Sequence, residues 1–159
     1  MNQRRRPITI LLAEDDPDDR LLAQDALEES SLLGDLRCVE NGEELMDYLY
    51  RRGQYTQENS PRPAIILLDL NLPKKDGREA LNEIKADPEL RRIPVVVFTT
   101  SKTHEDIKTA YDGGANSFIT KPLTFDSLVD VMETLSKYWF GLVELPPNGV
   151  ADGYGQQPH

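Results

Sequence analysis

The sequence predicts a doubly wound α/β fold, in which a five-stranded parallel sheet of order 2-1-3-4-5 carries helices on both faces. Three observations support this prediction. Short apolar segments alternate five times with segments of helical periodicity, which is typical of a parallel sheet. The first, third and fourth apolar segments are continuous runs that suit central strands, whereas the second is more polar and suits a position near an edge. The 159 residues fit one domain.

The predicted strands are apolar runs that stop at polar or acidic residues. The first, "ITILLA", ends at three consecutive acids, and the third, "AIILLDL", contains an aspartate directly after its apolar run. The strands are predicted over residues 8–13, 36–40, 64–70, 95–100 and 116–120. Residues 53–63, which contain two prolines, are predicted to form a polar loop before the third strand.

The predicted helices have recognisable starts and ends. Asp16 can cap the first helix with Pro17 in its first turn, and Gly113 and Gly114 can end the fourth. The helices are predicted over residues 17–31, 42–52, 76–87, 103–114 and 124–140. Three of them have predicted apolar faces, which consist of Leu21, Leu22, Ala26 and Leu27 in the first, Leu45, Met46 and Leu49 in the second, and Phe125, Leu128, Met132, Leu135 and Trp139 in the last.

Composition narrows the class of protein. The formal net charge of −10 argues against a general nucleic-acid-binding surface, because phosphate backbones repel an acidic protein. Cys38 is the single cysteine, so no intramolecular disulfide forms, a reducing compartment is favoured, and the side chain is expected to be a small buried hydrophobe. No apolar run is long enough to span a bilayer, and we expect a cytoplasmic location without membrane contact. The domain is expected to cover residues 8–145, with flexible segments at 1–7 and 146–159.

Acidic residues end two strands that the predicted order makes neighbours. Glu14, Asp15 and Asp16 follow the first strand, and Asp69 follows the apolar run of the third. In a doubly wound sheet these strand ends border the ligand crevice, at the point where strand order reverses. Clustered carboxylates repel one another, and a hard divalent cation such as Mg²⁺, with a backbone carbonyl such as that of Asn71 as an added ligand, would relieve that repulsion. Helix capping is the simpler alternative for these acids, above all for Asp16.

The ends of the fourth and fifth strands add a hydroxyl and an ammonium group. Thr99 ends the fourth strand, and Lys121 follows the fifth. A metal, a hydroxyl, a cation and a carboxylate at one edge suit a phosphoryl group. Asp69 could then act as the nucleophile and form an acyl phosphate.

The segments "ILLAEDD", "ILLDLNLPKKDG", "VVVFTTS" and "SFITKP" together resemble the receiver domain of two-component response regulators, over about residues 8 to 140. The resemblance implies a flavodoxin-like receiver fold, with Asp69 as phosphoacceptor and Mg²⁺ held by Glu14, Asp15, Asp69 and the main-chain carbonyl of Asn71. It also implies phosphoryl-binding and switch roles for Thr99, Lys121 and Phe118.

The insertion "YRRGQYTQENSPRP" and the ending "YWFGLVELP" resemble the single-domain response regulators that partner bacterial-type phytochromes. This resemblance implies that a sensor histidine kinase donates the phosphoryl group, and that the chain is a signalling protein rather than an enzyme. No DNA-binding module follows residue 140, so we expect output through protein contacts. Trp139 and Phe140 are candidate contacts of a homodimer, although they could equally cover the core of one subunit. A cis peptide is expected between Lys121 and Pro122.

Two other functions remain possible from the sequence. An aspartyl-nucleophile phosphohydrolase usually carries a general acid two residues after the nucleophile, but that position is Asn71, which cannot donate a proton in that way. An unphosphorylated adaptor that keeps only the fold is the second alternative. A Rossmann nucleotide site is disfavoured, because no glycine-rich loop follows the first strand.

Overall fold

The computed structural model describes residues 8–30, 34–100, 103–135 and 137. Its five strands are β1 (Ile8–Ala13), β2 (Gly34–Val39), β3 (Ile65–Leu68), β4 (Val95–Thr99) and β5 (Ser117–Thr120). Its five α-helices are α1 (Pro17–Glu29), α2 (Gly42–Tyr50), α3 (Gly77–Ala86), α4 (His104–Asp112) and α5 (Phe125–Leu135). A short 3₁₀ helix, Leu90–Arg92, precedes β4. All four strand pairings are parallel and the order is β2-β1-β3-β4-β5, which confirms the predicted topology.

Alternating side chains of the central strands divide the core into two layers. Leu11, Ile66 and Val97 point to the face covered by α2, α3 and α4, whereas Leu12 and Leu67 point to the face covered by α1 and α5. All four residues of β3 and all five of β4 are buried, as continuous apolar runs predict for strands covered on both sides. The rigid centre of the sheet therefore positions the residues that follow β1 and β3.

Helix boundaries follow from local capping. The Asp16 side chain accepts a hydrogen bond from the Asp18 backbone amide at the start of α1, where Pro17 occupies the first turn. The Thr103 hydroxyl accepts one from the Asp106 amide at the start of α4, and Gly113 ends that helix. All five helices are shorter at one or both ends than the sequence predicts, and the end predicted for the last helix lies outside the described residues.

The apolar stripe of α1 differs from the prediction. Ala26 and Leu27 are buried together with Ala23, but Leu21 and Leu22 are exposed. Residues 23, 26 and 27 follow the spacing that one helix face requires, which places residues 21 and 22 on the outer side. The predicted face of α2 is confirmed, since its three residues are buried. In α5, Leu128, Met132 and Leu135 are buried as predicted, whereas Phe125 at the first position is exposed.

Cys38 is exposed, so the prediction of a buried side chain is wrong. The residue lies on β2, which pairs with β1 at one edge of the sheet that the described residues form. Helix cover at a sheet edge is incomplete, and five of the six β2 residues are less than fully buried. The alternation of apolar and charged residues in β2 therefore did not identify which side chains point into the core.

The predicted loop before β3 is ordered by side-chain contacts with α2. Tyr48 Oη donates to the Pro61 carbonyl at 2.7 Å, and Tyr55 Oη donates to Glu44 Oε2 at 2.6 Å. The two rings lie with their centroids 5.2 Å apart. The segment is thus fixed against α2 by two hydrogen bonds and a contact between two tyrosine rings.

Among the described residues no helix is long and apolar enough to cross a membrane. The segments expected to be flexible, 1–7 and 146–159, and the residues Trp139 and Phe140 lie outside the described part of the chain.

Candidate functional site: an acidic pocket at the strand ends

β1 and β3 bring the acids at their carboxyl ends together. Paired parallel strands align Ala13 with Leu68, so the next residues, Glu14 and Asp69, emerge side by side. The Asp69 amide donates to the Ala13 carbonyl at 3.2 Å, and the Glu14 amide donates to the Val39 carbonyl at 3.0 Å. Backbone pairing therefore holds both residues at the edge where the sheet order reverses.

Glu14, Asp15 and Asp69 can offer oxygens to one ion. One carboxylate oxygen from each residue lies within 4.8 Å of the others, with Asp15 exposed and the other two side chains buried. Oxygen donors from carboxylates suit hard divalent cations such as Mg²⁺, which also retain water ligands. The three residues predicted from sequence thus fit a divalent cation. Asn71 is exposed at the start of the next loop, and a role for its carbonyl stays a prediction.

Both oxygens of Asp69 have hydrogen-bond donors. Oδ1 accepts from Thr99 Oγ1 at 2.8 Å and from the Asn71 amide at 3.0 Å. Oδ2 accepts from Lys121 Nζ at 3.1 Å. Because Thr99 is fully buried and Asp69 is 6% exposed, the carboxylate is fixed in orientation while a small part stays accessible.

Lys121 is the centre of the charge network. Its Nζ contacts Glu14 Oε1 as well as Asp69, and lies 3.4 Å from Asp19 Oδ2. Burial by itself lowers the pKa of Lys121, but the hydrogen bond to Glu14 and the charges of Asp69 and Glu14 outweigh that effect and raise it. The side chain is therefore a cation in a pocket of carboxylates.

Glu14 is held on several sides. Its Oε2 accepts from the Asp16 amide at 3.1 Å, and Arg20 Nη1 donates to its backbone carbonyl at 2.8 Å. Burial raises the pKa of the Glu14 carboxyl, and the hydrogen bonds from Lys121 and from Asp16 only partly offset this. Desolvation and hydrogen bonding thus act in opposite directions on this one group.

The Lys121–Pro122 peptide is trans, so the prediction of a cis bond is wrong: the described residues contain no cis peptide. Trans is the intrinsically favoured form even before proline, and the Lys121 amide is already placed by its hydrogen bond to the Thr99 carbonyl at 2.9 Å. Strand pairing is therefore enough to aim the ammonium group into the pocket.

Phe118 lies near the pocket but outside it. The residue pairs with Val97 in the sheet, two positions before Thr99 aligns with Thr120. Its ring is partly buried against the layer covered by α2, α3 and α4. Phe118 thus lies two residues before the position that pairs with Thr99, and its switch role stays a prediction.

Three residues in or beside the pocket were missed by sequence reasoning. Asp19 contacts Lys121 from the first turn of α1, Arg20 binds the Glu14 carbonyl, and Arg78 binds the Leu70 carbonyl next to Asp69. Asp19 could have been found, because it lies four residues after Asp15 in a helix that begins at the same sheet edge. The two arginines act on backbone carbonyls, and such contacts have no signal in a sequence pattern.

Gly77, the first residue of α3, lies very close to the backbone of Asp69. The Gly77 amide donates to the Leu70 carbonyl at 3.0 Å. A Cβ at this position would lie 2.3 Å from the Asp69 carbonyl oxygen, far inside contact distance. The first residue of α3 therefore has no room for a side chain, and α3 packs directly against the end of β3.

Comparison with known proteins agrees with this arrangement. Residues 10–133 match the family model of the response regulator receiver domain. The response regulator Rcp1 of Synechocystis sp. is 44% identical over 140 residues, which cover 88% of this chain and 94% of Rcp1.

Two solved structures show the same fold at the same level of identity. The Mn²⁺-bound form of Rcp1 aligns with a TM-score of 0.79, covering 88% of this chain and 99% of that one at 44% identity. The phosphorylated cyanobacterial phytochrome response regulator RcpA aligns with a TM-score of 0.81, covering 89% and 99% at 44% identity. The fold, the clustered strand-end residues and these matches together place the chain in the response regulator receiver domain family.

Proposed function

We propose that this chain is a single-domain response regulator that accepts a phosphoryl group on Asp69 from a phosphohistidine of a sensor histidine kinase. The observation that carries the proposal is the convergence of Asp69, Thr99 and Lys121 with two further carboxylates at one sheet edge. Family membership supports it, since receiver domain response regulators are signalling proteins rather than conventional enzymes.

The proposed reaction is an in-line displacement at phosphorus. The Asp69 carboxylate forms a new O–P bond, the P–N bond to the histidine breaks, and the imidazole leaves with the bonding electrons. The buried Thr99 hydroxyl and the Lys121 ammonium hold the Asp69 oxygens in a fixed direction before attack. After transfer they are the nearest donors for the oxygens of the phosphoryl group.

Glu14, Asp15 and Asp69 are the residues that would hold Mg²⁺, with the Asn71 carbonyl as a proposed fourth protein ligand. When bound, the ion would neutralise negative charge on the transferring group and on the clustered carboxylates. Support for a divalent cation comes from the oxygen cluster itself and from the Mn²⁺-bound structure of the similar protein Rcp1. The selection of Mg²⁺ is part of the proposal.

A phytochrome is the proposed kinase partner. This part of the proposal is supported by similarity to RcpA, a phytochrome response regulator, and to a bacteriophytochrome response regulator structure at 38% identity and TM-score 0.70. A cytoplasmic location is proposed because such a partner would meet the chain there. The phosphohydrolase alternative is less favoured, because Asn71 stands where the general acid would be needed.

Phosphotransfer from a kinase tests the proposed function. A phytochrome histidine kinase is labelled on its histidine with ATP, freed of ATP, and mixed with this chain in the presence of Mg²⁺ or of EDTA. We expect the label to move to the chain within seconds to minutes with Mg²⁺ and to stay on the kinase with EDTA.

Acetyl phosphate is the control donor, because it needs no protein docking. Labelling by acetyl phosphate without transfer from the phytochrome would remove the phytochrome partner and keep the receiver function. If neither donor labels the chain, the chain is an adaptor and the proposed function is wrong.

A homodimer formed through Trp139 and Phe140 is a further part of the proposal. Both residues are large and apolar and follow the described end of α5, on a chain whose output must pass through protein contacts if it is a single-domain regulator. Light scattering should give the mass of two chains, and Trp139→Ala should shift the equilibrium towards one chain. A single-chain mass for the wild type at high concentration, with and without phosphorylation, would rule out the dimer.

A further inference from the structure

Arg78 connects three segments of the chain that meet beside Asp69. Its Nη1 donates to the Leu70 carbonyl at 3.3 Å and to Asp76 Oδ1 at 3.2 Å. Its Nη2 donates to Asp106 Oδ1 at 2.9 Å. One guanidinium group therefore joins the residue after Asp69, the cap of α3 and the first turn of α4.

The Arg78–Asp106 ion pair is partly buried. The two side chains are 31% and 18% exposed. Burial lowers the pKa of Arg78, and hydrogen bonds to Asp106 and Asp76 more than reverse this, so the group is charged at every physiological pH. A planar guanidinium with several fixed donors can hold two partners at a set distance, which a flexible ammonium group does less well.

The contact of Arg78 with the Leu70 carbonyl can affect Asp69 directly. It belongs to the peptide that links Leu70 to Asn71, and the amide of that same peptide donates to Asp69 Oδ1 at 3.0 Å. Rotation of this peptide plane would therefore move a donor of the candidate phosphoacceptor. The Gly77 amide and Arg78 Nη1 both bind the carbonyl, so the start of α3 holds the plane from the other side.

Helix α4 has a second connection to the pocket along the backbone. Thr99, whose hydroxyl donates to Asp69 Oδ1, ends β4, and α4 begins at His104. Movement of Thr99 and movement of Asp106 would thus both reach α4. In contrast, Lys108 and Asp112 form an exposed ion pair within α4, with Nζ and Oδ2 2.8 Å apart. This pair joins two residues of the same helix and does not connect α4 to the loop after Asp69.

We propose that Arg78 is a positioning residue that couples the Asp69 loop to helix α4, by holding the Leu70–Asn71 peptide and Asp106 at the same time. The inference rests on the proposed function in one respect, because the loop it positions is that of the phosphoacceptor. It adds that α4 and the phosphoacceptor influence each other through this arginine, in both directions as linkage requires.

A double-mutant cycle with Arg78→Ala, Asp106→Asn and the double variant tests the coupling. The first readout is amide hydrogen exchange of residues 69–77 in the unphosphorylated protein. Each single variant should speed exchange there about threefold to tenfold, and the double variant should add little to Arg78→Ala, because both changes break the same link. Lys108→Gln with Asp112→Asn is the matched control and should leave exchange of residues 69–77 unchanged.

The second readout is the rate of phosphorylation by acetyl phosphate, resolved into kcat and KM. We expect Asp106→Asn to lower kcat about threefold to tenfold with little change in KM, since the loop loses its restraint while access to the pocket is unaltered. A purely structural contact would lower thermal stability and leave both kcat and loop exchange as in the wild type. That outcome, or additive effects in the cycle, would overturn the inference.

The two readouts separate this inference from the proposed function. If loop exchange responds as expected but Asp69 takes no phosphoryl group in any variant, the coupling stands and the proposed function fails. If the wild type is phosphorylated normally and Asp106→Asn changes neither readout, the proposed function stands and the coupling is wrong.

Discussion

Asp69→Asn should abolish phosphorylation by acetyl phosphate and by a phosphohistidine donor, down to the uncatalysed background. An amide lacks the anionic oxygen that attacks phosphorus, and it cannot form an acyl phosphate. The new side chain has nearly the same shape, and its carbonyl oxygen can still accept from Thr99 and from the Asn71 amide. The fold should therefore remain, which circular dichroism and urea unfolding would verify.

Intact-mass spectrometry during incubation with acetyl phosphate and Mg²⁺ measures this effect directly. Asp47→Asn is a suitable control, because Asp47 is a surface carboxylate of α2 that pairs with Arg52 away from the pocket. The control should gain one phosphoryl group at the wild-type rate. A variant with Asn at position 69 that gains the group at that same rate would disprove the assignment of the phosphoacceptor.

Lys121→Met should destabilise the metal-free protein by about 3 to 5 kcal/mol, which is the usual effect of removing one partner from a buried ion pair. The Lys121 side chain is 12% exposed, and the side chains of its partners Glu14 and Asp69 are 3% and 8% exposed. Without Lys121 two buried carboxylates face each other and Asp15 with no cation between them. Urea unfolding at pH 7 in EDTA gives the free energy difference.

Added Mg²⁺ and a lower pH should each reduce the difference in unfolding free energy between Lys121→Met and the wild type. A cation bound to the three carboxylates would replace the lost positive charge and would stabilise the variant more than the wild type, since Lys121 no longer shares the same oxygens. Burial already raises the pKa of Glu14. The hydrogen bond and the charge of Lys121 lower that pKa, so the loss of Lys121 raises it further. A carboxyl with a raised pKa in the folded state binds protons more readily folded than unfolded, so the variant gains stability relative to the wild type as pH falls.

Lys108→Met provides the matched control for this prediction. Lys108 forms an ion pair with Asp112 at 2.8 Å, but both side chains are mostly exposed. Exposed pairs contribute little to stability, so we expect Lys108→Met to unfold at the same urea concentration as the wild type. If Lys121→Met is as stable as Lys108→Met in EDTA at pH 7, Lys121 does not compensate the charges of the buried carboxylates Glu14 and Asp69.

The fold could be predicted because its determinants are local and repetitive. Continuous apolar runs at β3 and β4 specify strands covered on both faces, and the capping signals at Asp16 and Gly113 mark helix ends. The juxtaposition of Glu14, Asp15, Asp69, Thr99 and Lys121 followed from topology alone, since carboxyl ends of parallel strands share one edge. Family resemblance supplied the expected role of each residue.

Other features depend on packing that a single sequence does not specify. Exposure of Cys38 reflects the incomplete cover of an edge strand, and exposure of Leu21 and Leu22 reflects the rotation of α1 about its axis. The isomer of the Lys121–Pro122 peptide depends on a balance of about 1 kcal/mol, which a motif does not determine. Contacts of Arg20 and Arg78 with backbone carbonyls require knowledge of where the loops run.

Chemical mapping of the phosphorylated residue tests the central claim most directly. The wild type is incubated with acetyl phosphate and Mg²⁺, reduced with borohydride to convert an acyl phosphate into homoserine, and digested for peptide sequencing by mass spectrometry. We predict homoserine at position 69 alone, in high yield with Mg²⁺ and at background yield with EDTA. Homoserine at another carboxylate, or an equal yield at position 69 without a divalent cation, would contradict the account of a metal-dependent phosphoryl acceptor at this sheet edge.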